Sequence, residues 1–275
     1  MGDRMMKAVK FLAAIQAVLL LLLCSACTGD RRVLEVVSCD YDGLTKLQSG
    51  AFDTTAANQW HDAGQNPWGG NSCCLTEIDG RLNVQNRTDI YESAVMECTD
   101  GYFIGTDIAG DGWVWYYPHN SAVSDMQEEA RLVVEENCKG FVKLTENKGY
   151  LFTQADDIGK TVTNIYYLRY LYDESRWTWT LMADINSCLY AYFFDFDGHC
   201  IYIAAKDGFY SFDLLTQTLS LIKKPELFEY IDVNSIVRIN DSIYFGCSMG
   251  IYEYIPATDE EFWYPMDYEK YVCGK

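Results

Sequence analysis

Two tryptophan pairs carry the spacing best suited to ligand contact. Trp113 and Trp115 alternate, as do Trp177 and Trp179. Period two puts both members of a pair on one face of an extended strand. Two indoles on an exposed face make a stacking platform for a sugar or a peptide. The same spacing also serves packing between sheets, where large aromatic rings fill the core. Trp60 and Trp68 stand apart, in an Asn-, Gln- and Gly-rich stretch between Asn58 and Cys74 that has no apolar period. Glycine and asparagine there supply the backbone freedom and hydrogen-bonding groups of adaptable contact loops. The candidate ligand-binding residues are therefore Trp60, Trp68, Trp113 and Trp177. For Trp60 and Trp68 the competing role is to plug the bottom of the fold.

Other reactive side chains give weaker patterns. Asp40–Gly43, Asp107–Gly112 and Asp195–Gly198 have the beginnings of a calcium loop. None carries the six to eight oxygen ligands such a loop needs, and Asp-Gly is a common hairpin turn. His61, His119 and His199 are scattered without metal spacing. No nucleophile elbow, zinc-protease helix or phosphate loop is present. With 40 acidic residues some close carboxylate pair is inevitable, so no glycosidase pair can be picked out. The sequence thus names no catalytic residue, no metal ligand and no cofactor. Of 11 cysteines, Cys24 and Cys27 end an N-terminal apolar run. The others are Cys39, Cys73, Cys74, Cys98, Cys138, Cys188, Cys200, Cys247 and Cys273, an odd number, so at least one is unpaired in a monomer. Cys98, Cys200 and Cys247 fall in strand-like runs, where a thiol behaves as a small hydrophobe. Cys39 and Cys273 could staple the two ends of the chain.

The N-terminus sets location. Met1–Lys10 is basic, and Phe11–Leu23 is apolar apart from Gln16. Thirteen residues are too few to span a bilayer comfortably, which takes ~20, but they suit a secretory signal. Ser25-Ala26-Cys27 follows. This resembles the lipobox of bacterial lipoproteins, in which small residues precede a cysteine that is diacylated and becomes the first residue after cleavage. Cys24 departs from the pattern, where Leu is usual. The resemblance implies a signal peptide over 1–26, lipidation at Cys27, and export to the bacterial cell membrane or outer membrane. The alternative is plain secretion after cleavage at Ala26. Two acyl chains suffice for stable anchoring. Residues 27–32 are then a short tether: the five from Thr28 to Arg32 span at most ~18 Å.

The elements that must position these residues are strands. Ile201–Phe212 and Ile243–Tyr254 align at an offset of 42 residues, each a β run, a turn at Gly208 or Gly250, and a second β run. A period in the forties built from strands resembles β-propeller repeats. Four units of four short strands can be read, starting near residues 94, 141, 192 and 236. The remainder makes a fifth, combining the region from Val33 to Val84 with the tail at Tyr268–Cys273. The expected fold is all-β: one propeller domain over 33–275 with five four-stranded blades, six short blades or an open β-sandwich being the alternatives. Residues 43–72 read as an irregular loop.

Net charge is −19, and the first 26 residues are basic, so the exported part is more acidic still. Such a domain repels nucleic acid and anionic headgroups. The leading expectation is a monomeric, membrane-anchored scaffold that binds a protein, peptide or glycan without catalysis. A glycan-acting hydrolase or lyase and an envelope-assembly scaffold are the alternatives, since fold alone does not decide.

Overall fold

The computed structural model describes residues 32–39, 46–52, 72–87, 94–107, 112–119, 130–157 and 159–266. Within them the chain forms twenty strands, a single 3-10 turn at Glu226–Glu229 and no α-helix. The strands make five four-stranded sheets, the architecture of a five-bladed propeller.

Four sheets are simple meanders: β5–β8 (Ala94–Glu97, Gly101–Gly105, Val114–Pro118, Arg131–Val134), β9–β12 (Asn137–Thr145, Lys148–Asp157, Lys160–Leu171, Arg176–Ile185), β13–β16 (Leu189–Asp195, Cys200–Ala205, Gly208–Asp213, Thr218–Lys223) and β17–β20 (Val233–Ile239, Ser242–Cys247, Gly250–Ile255, Glu260–Pro265). The fifth sheet holds β1 (Val33–Cys39), β2 (Lys46–Gln48), β3 (Ser72–Ile78) and β4 (Arg81–Arg87) in the order β2-β1-β4-β3. It is two hairpins joined by a parallel β1–β4 contact, unlike the antiparallel meanders. It reaches four strands from the N-terminal region alone, and the tail expected to complete it lies outside the described residues. Asp79-Gly80 forms the β3–β4 turn, both residues having positive φ.

The 42-residue repeat holds through three strands. β14, β15 and β16 begin at 200, 208 and 218, and β18, β19 and β20 at 242, 250 and 260. Tyr202 and Tyr244 are thus equivalent, as are Gly208 and Gly250. A Cβ at Gly250 would come within 2.4 Å of the Tyr264 carbonyl, and at Gly208 within 2.8 Å of Leu221. Both glycines therefore allow the fourth strand to close on the third. The first strands slip by two residues, because the β13–β14 turn spans Phe196–His199 while the β17–β18 turn is only Asn240-Asp241.

Buried residues gather in four clusters, each joining two sheets. β5–β8 packs on β9–β12 through Phe103, Tyr116, Leu151 and Trp177. β9–β12 packs on β13–β16 through Tyr150, Phe152, Ile203 and Phe212. β13–β16 packs on β17–β20 through Phe209, Phe245 and Tyr252, and β17–β20 on β1–β4 through Ile251, Tyr264, Leu82 and Val84. No such cluster among the described residues joins β1–β4 to β5–β8, although those sheets are neighbours in sequence.

Candidate ligand-binding face

Backbone hydrogen bonds define the two faces of the ring. On one, the loop after each second strand meets the start of a first strand: Cys138 N–H donates to Thr106 (2.9 Å), Lys206 to Cys188 (2.9 Å) and Ser248 to Asp232 (3.1 Å). On the other, the turn after the first strand meets the end of the third: His119 N–H donates to Asp100 (2.8 Å), Tyr170 to Asn147 (3.0 Å) and Leu214 to His199 (2.9 Å). Trp113 precedes β7 on the first face. Trp177 opens β12 on the second, where its indole N–H donates to the Asp100 carboxylate at 2.9 Å. The two tryptophans are therefore on opposite faces.

Their surroundings differ as much. Trp177 is 4% exposed. Its ring meets Phe103 edge-on at 5.0 Å and Tyr170 at 5.6 Å, within the cluster that holds β5–β8 to β9–β12. Trp179 packs on the same cluster, so the pair does share a face, and that face is core. Trp113 and Trp115 are partly exposed and meet edge-to-face at 6.2 Å. Trp60 and Trp68 lie outside the described residues.

Strand register shows what surrounds Trp115. Val95 pairs with Ile104, Ile104 with Trp115, and Trp115 with Leu132. Directly paired residues of adjacent strands project from the same face, so these four form one apolar row across the whole sheet. Val95 is 57% exposed and Leu132 37%. Beside this row runs a second, Glu97–Tyr102–Tyr117, in which polar tips accompany the rings. The His119 ring lies 4.5 Å from that of Tyr102. The alternate residues Met96, Phe103, Val114, Tyr116 and Val133 point to the other side and are buried against β9–β12. Among the described residues, none of the two outer rows belongs to a buried cluster. Sequence reading found Trp113 and Trp115 but missed this row, because Ala94–Met96, Tyr102–Ile104 and Leu132–Val134 are continuous apolar runs that do not tell one face of a strand from the other.

The mouth of the ring on the first face is polar and largely self-satisfied. Lys139 Nζ donates to Asp107 at 2.7 Å. Glu136 accepts from Tyr166 (2.9 Å), Asn164 (3.0 Å) and Thr153. Burial raises the Tyr190 hydroxyl pKa, with Asp232 adding to the effect by charge and hydrogen bond. Each of these carboxylates already has a donor. The buried Asn137 Oδ1 lacks a donor, and the buried Asn234 Nδ2 lacks an acceptor.

The calcium-like segments behave as turns and ion pairs where they are described. Asp107 is neutralised by Lys139, and Asp195 accepts from Gly198 N–H (3.1 Å) and Arg238. No group of three or more His, Cys, Asp or Glu among the described residues could hold a metal ion. Cys98 and Cys138 are unpaired and buried, and burial pushes both thiols up to about 12. Cys200 is unpaired and partly buried, and Cys247 is buried with its thiol donating to the Phe245 carbonyl. Cys273 lies outside the described residues, so the proposed Cys39–Cys273 staple does too.

A groove of ≈ 270 Å³ lies between the β2 exit and β20, lined by Phe52, Glu226, Glu261 and Trp263 among others. Its groups are mostly engaged in holding sheets together. Phe52 meets Trp263 edge-on at 5.2 Å, Gly50 N–H donates to Trp263, and Glu261 takes Lys223 and the Tyr252 hydroxyl.

No protein-family model matches the chain, and no curated protein matches its sequence. Among solved structures it is similar to the extracellular domain of BT4673 from B. thetaiotaomicron, at 13% identity over 71% of this chain and 27% of that one, TM-score 0.43. It is also similar to puromycin hydrolase, at 9% identity over 70% and 38%, TM-score 0.40. A third is the WD40 domain of SCAP from fission yeast, at 8% identity over 72% and 53%, TM-score 0.36. The chain spans between about a quarter and a half of the lengths of these proteins.

Proposed function

We propose that this is an exported, lipid-anchored recognition protein, tethered through Cys27 and binding without catalysis at the outer face of the β5–β8 sheet. The observation that carries the binding role is the Val95–Ile104–Trp115–Leu132 row: four apolar side chains in register, with Val95 and Leu132 exposed at its ends, on a face that joins no buried cluster among the described residues. Soluble proteins rarely expose such contiguous apolar surface unless something binds there. The carboxylates at the ring's mouth favour binding over hydrolysis, since Asp107 and Glu136 are held by Lys139 and by hydroxyl and amide donors. The anchor rests on the basic, apolar and small-small-Cys sequence ending at Cys27.

Two measurements test this. Cys27→Ser should release the protein from membranes or leave an uncleaved precursor; a processed Cys27→Ser chain that still partitions into detergent would remove the lipid anchor. Hydroxyl-radical footprinting should find Trp113 and Trp115 protected in intact envelopes relative to the purified chain. Equal oxidation in both settings would mean that nothing covers this face, and the recognition role would fall.

A further inference from the structure

We infer that the ligand of the β5–β8 face is a neutral oligosaccharide; this deepens, and rests on, the recognition role above. The two rows on that face differ in chemistry and lie side by side. One is apolar and contains Trp115, with Trp113 edge-on to it at 6.2 Å. The other brings the Glu97 carboxylate and the Tyr102 and Tyr117 hydroxyls into register two residues along each strand. A pyranose ring has the matching form: a C–H face that stacks on an indole, and hydroxyls around its rim that both donate and accept. Glu97 can only accept, whereas the phenols do both, so a rim of hydroxyls satisfies all three.

Competing occupants fit less well. The backbone of a four-stranded sheet uses its N–H and C=O groups in the ladder, so a peptide laid across the face would find no backbone partners there. An apolar protein patch large enough to cover the row would bury Glu97 without a partner, a costly burial of charge. A net charge of −19 repels anionic polymers, which selects neutral sugars over acidic ones. The same charge opposes pairing with a second copy. The row crosses four strands, three spacings of ~4.8 Å or ~14 Å in all, which suits a short oligomer better than one sugar ring.

The test is an array of neutral and acidic glycans probed with the full chain in detergent micelles. Wild type should bind at least one neutral oligosaccharide. Trp115→Ala should weaken that binding tenfold or more, Trp115→Tyr should retain part of it, and Tyr172→Ala, an exposed ring on the opposite face, should leave it intact. Thermal melting of each variant separates lost binding from lost fold. Binding to acidic glycans only, to none, or unaffected by Trp115→Ala overturns the inference. If no glycan binds while Trp115 is still protected in envelopes, the sugar assignment fails and the recognition role stands. If protection is absent too, both fail.

Discussion

The β17–β20 and β5–β8 sheets are built on one plan and finished differently. Both are four-stranded meanders with alternating side chains. In β17–β20, Phe245, Tyr252 and Trp263 face β13–β16, while Ile251, Tyr264 and Val237 face β1–β4, so both surfaces are core. In β5–β8 the same alternation sends Phe103, Val114 and Tyr116 into the core and leaves Val95, Ile104, Trp115 and Leu132 outside every buried cluster of the described residues. A strand buried on both faces is under packing constraint at every residue. One covered on a single face is free to use its other residues for something else. An apolar row persisting on the free surface is what ligand contact calls for and what solubility alone would remove.

The largest difference between the two sheets should appear in the core of the doubly covered one. Phe245 is buried and meets Phe209 edge-on at 4.9 Å and Phe228 at 5.5 Å. Phe245→Ala should cost about 3–5 kcal/mol in chemical denaturation, as buried Phe truncations do. A loss below about 1 kcal/mol would show that the β13–β20 pair is not the rigid part of the ring.

A smaller effect is expected where the chain enters the fold. Arg32 belongs by sequence to the tether, yet its backbone N–H donates to Ser49 Oγ (2.8 Å) and its carbonyl accepts from Ser49 N–H (2.9 Å). Its guanidinium stands over the Phe262 ring at 4.8 Å and 3.4 Å from Glu253, which is 0% exposed. Ser242 (2.7 Å) and Tyr264 (2.6 Å) also donate to Glu253. Removing one partner of a buried pair strands the other's charge, but Arg32 is itself partly exposed, so its share is discounted. Arg32→Ala should cost about 1–2 kcal/mol, and Glu253→Gln in that background should recover part of the loss. No recovery would assign the effect to the Phe262 contact instead.

High pH, combined with thiol substitution, probes the β5–β8/β9–β12 interface. Burial raises the Cys98 and Cys138 thiols from 9.0 to about 12. Unfolded thiols ionise near 9, so above that pH the unfolded chain gives up protons that the folded one keeps. Stability from these groups is complete below pH 9 and is lost as pH rises towards 12. Melting temperature should hold to about pH 8.5 and then fall, and Cys98→Ala/Cys138→Ala should flatten the fall. An unchanged slope in the double variant would mean that buried tyrosines such as Tyr192, raised to about 12 by burial, dominate.

Local sequence shows strands and turns well because side-chain alternation and turn residues are local. The four units read from residues 94, 141, 192 and 236 begin within about four residues of β5, β9, β13 and β17, and Asp79-Gly80 turns as its residue types require. The repeat extends to β16 and β20 without residue identity between Thr218 and Glu260, because strand spacing is kept where side chains are not. What the sequence hides is which face of a strand meets another sheet. Trp113/Trp115 and Trp177/Trp179 have the same spacing. One pair stands outside the core and the other packs within it, because the neighbouring sheet comes from a distant part of the chain. The parallel β1–β4 contact and the role of Arg32 are hidden for the same reason: both depend on partners 40 or more residues away, Leu82 for Val36 and Glu253 for Arg32.

The smallest predicted effect is the one that decides the comparison. Trp115 is as large a side chain as the core offers, and if its face were packed in solution its truncation would cost as much as that of Phe245. On a free face it loses the edge-to-face contact with Trp113 and its cross-strand contacts with Ile104 and Leu132. Such an aromatic pair is worth about 0.5–1.5 kcal/mol, and exposed substitutions otherwise stay within about 0.5 kcal/mol. Trp115→Ala should therefore destabilise by about 1 kcal/mol or less, a fraction of the Phe245→Ala loss measured in the same denaturant series. A cost near 3 kcal/mol would mean that the β1–β4 sheet closes onto this face in solution. The described surface of β1–β4 opposes such a dry closure at one place: Glu35 and Lys46, both exposed, pair there at 2.9 Å. Such a charged pair would have to be desolvated against an indole with no new partner, and that cost weighs against a dry closure onto the β5–β8 row.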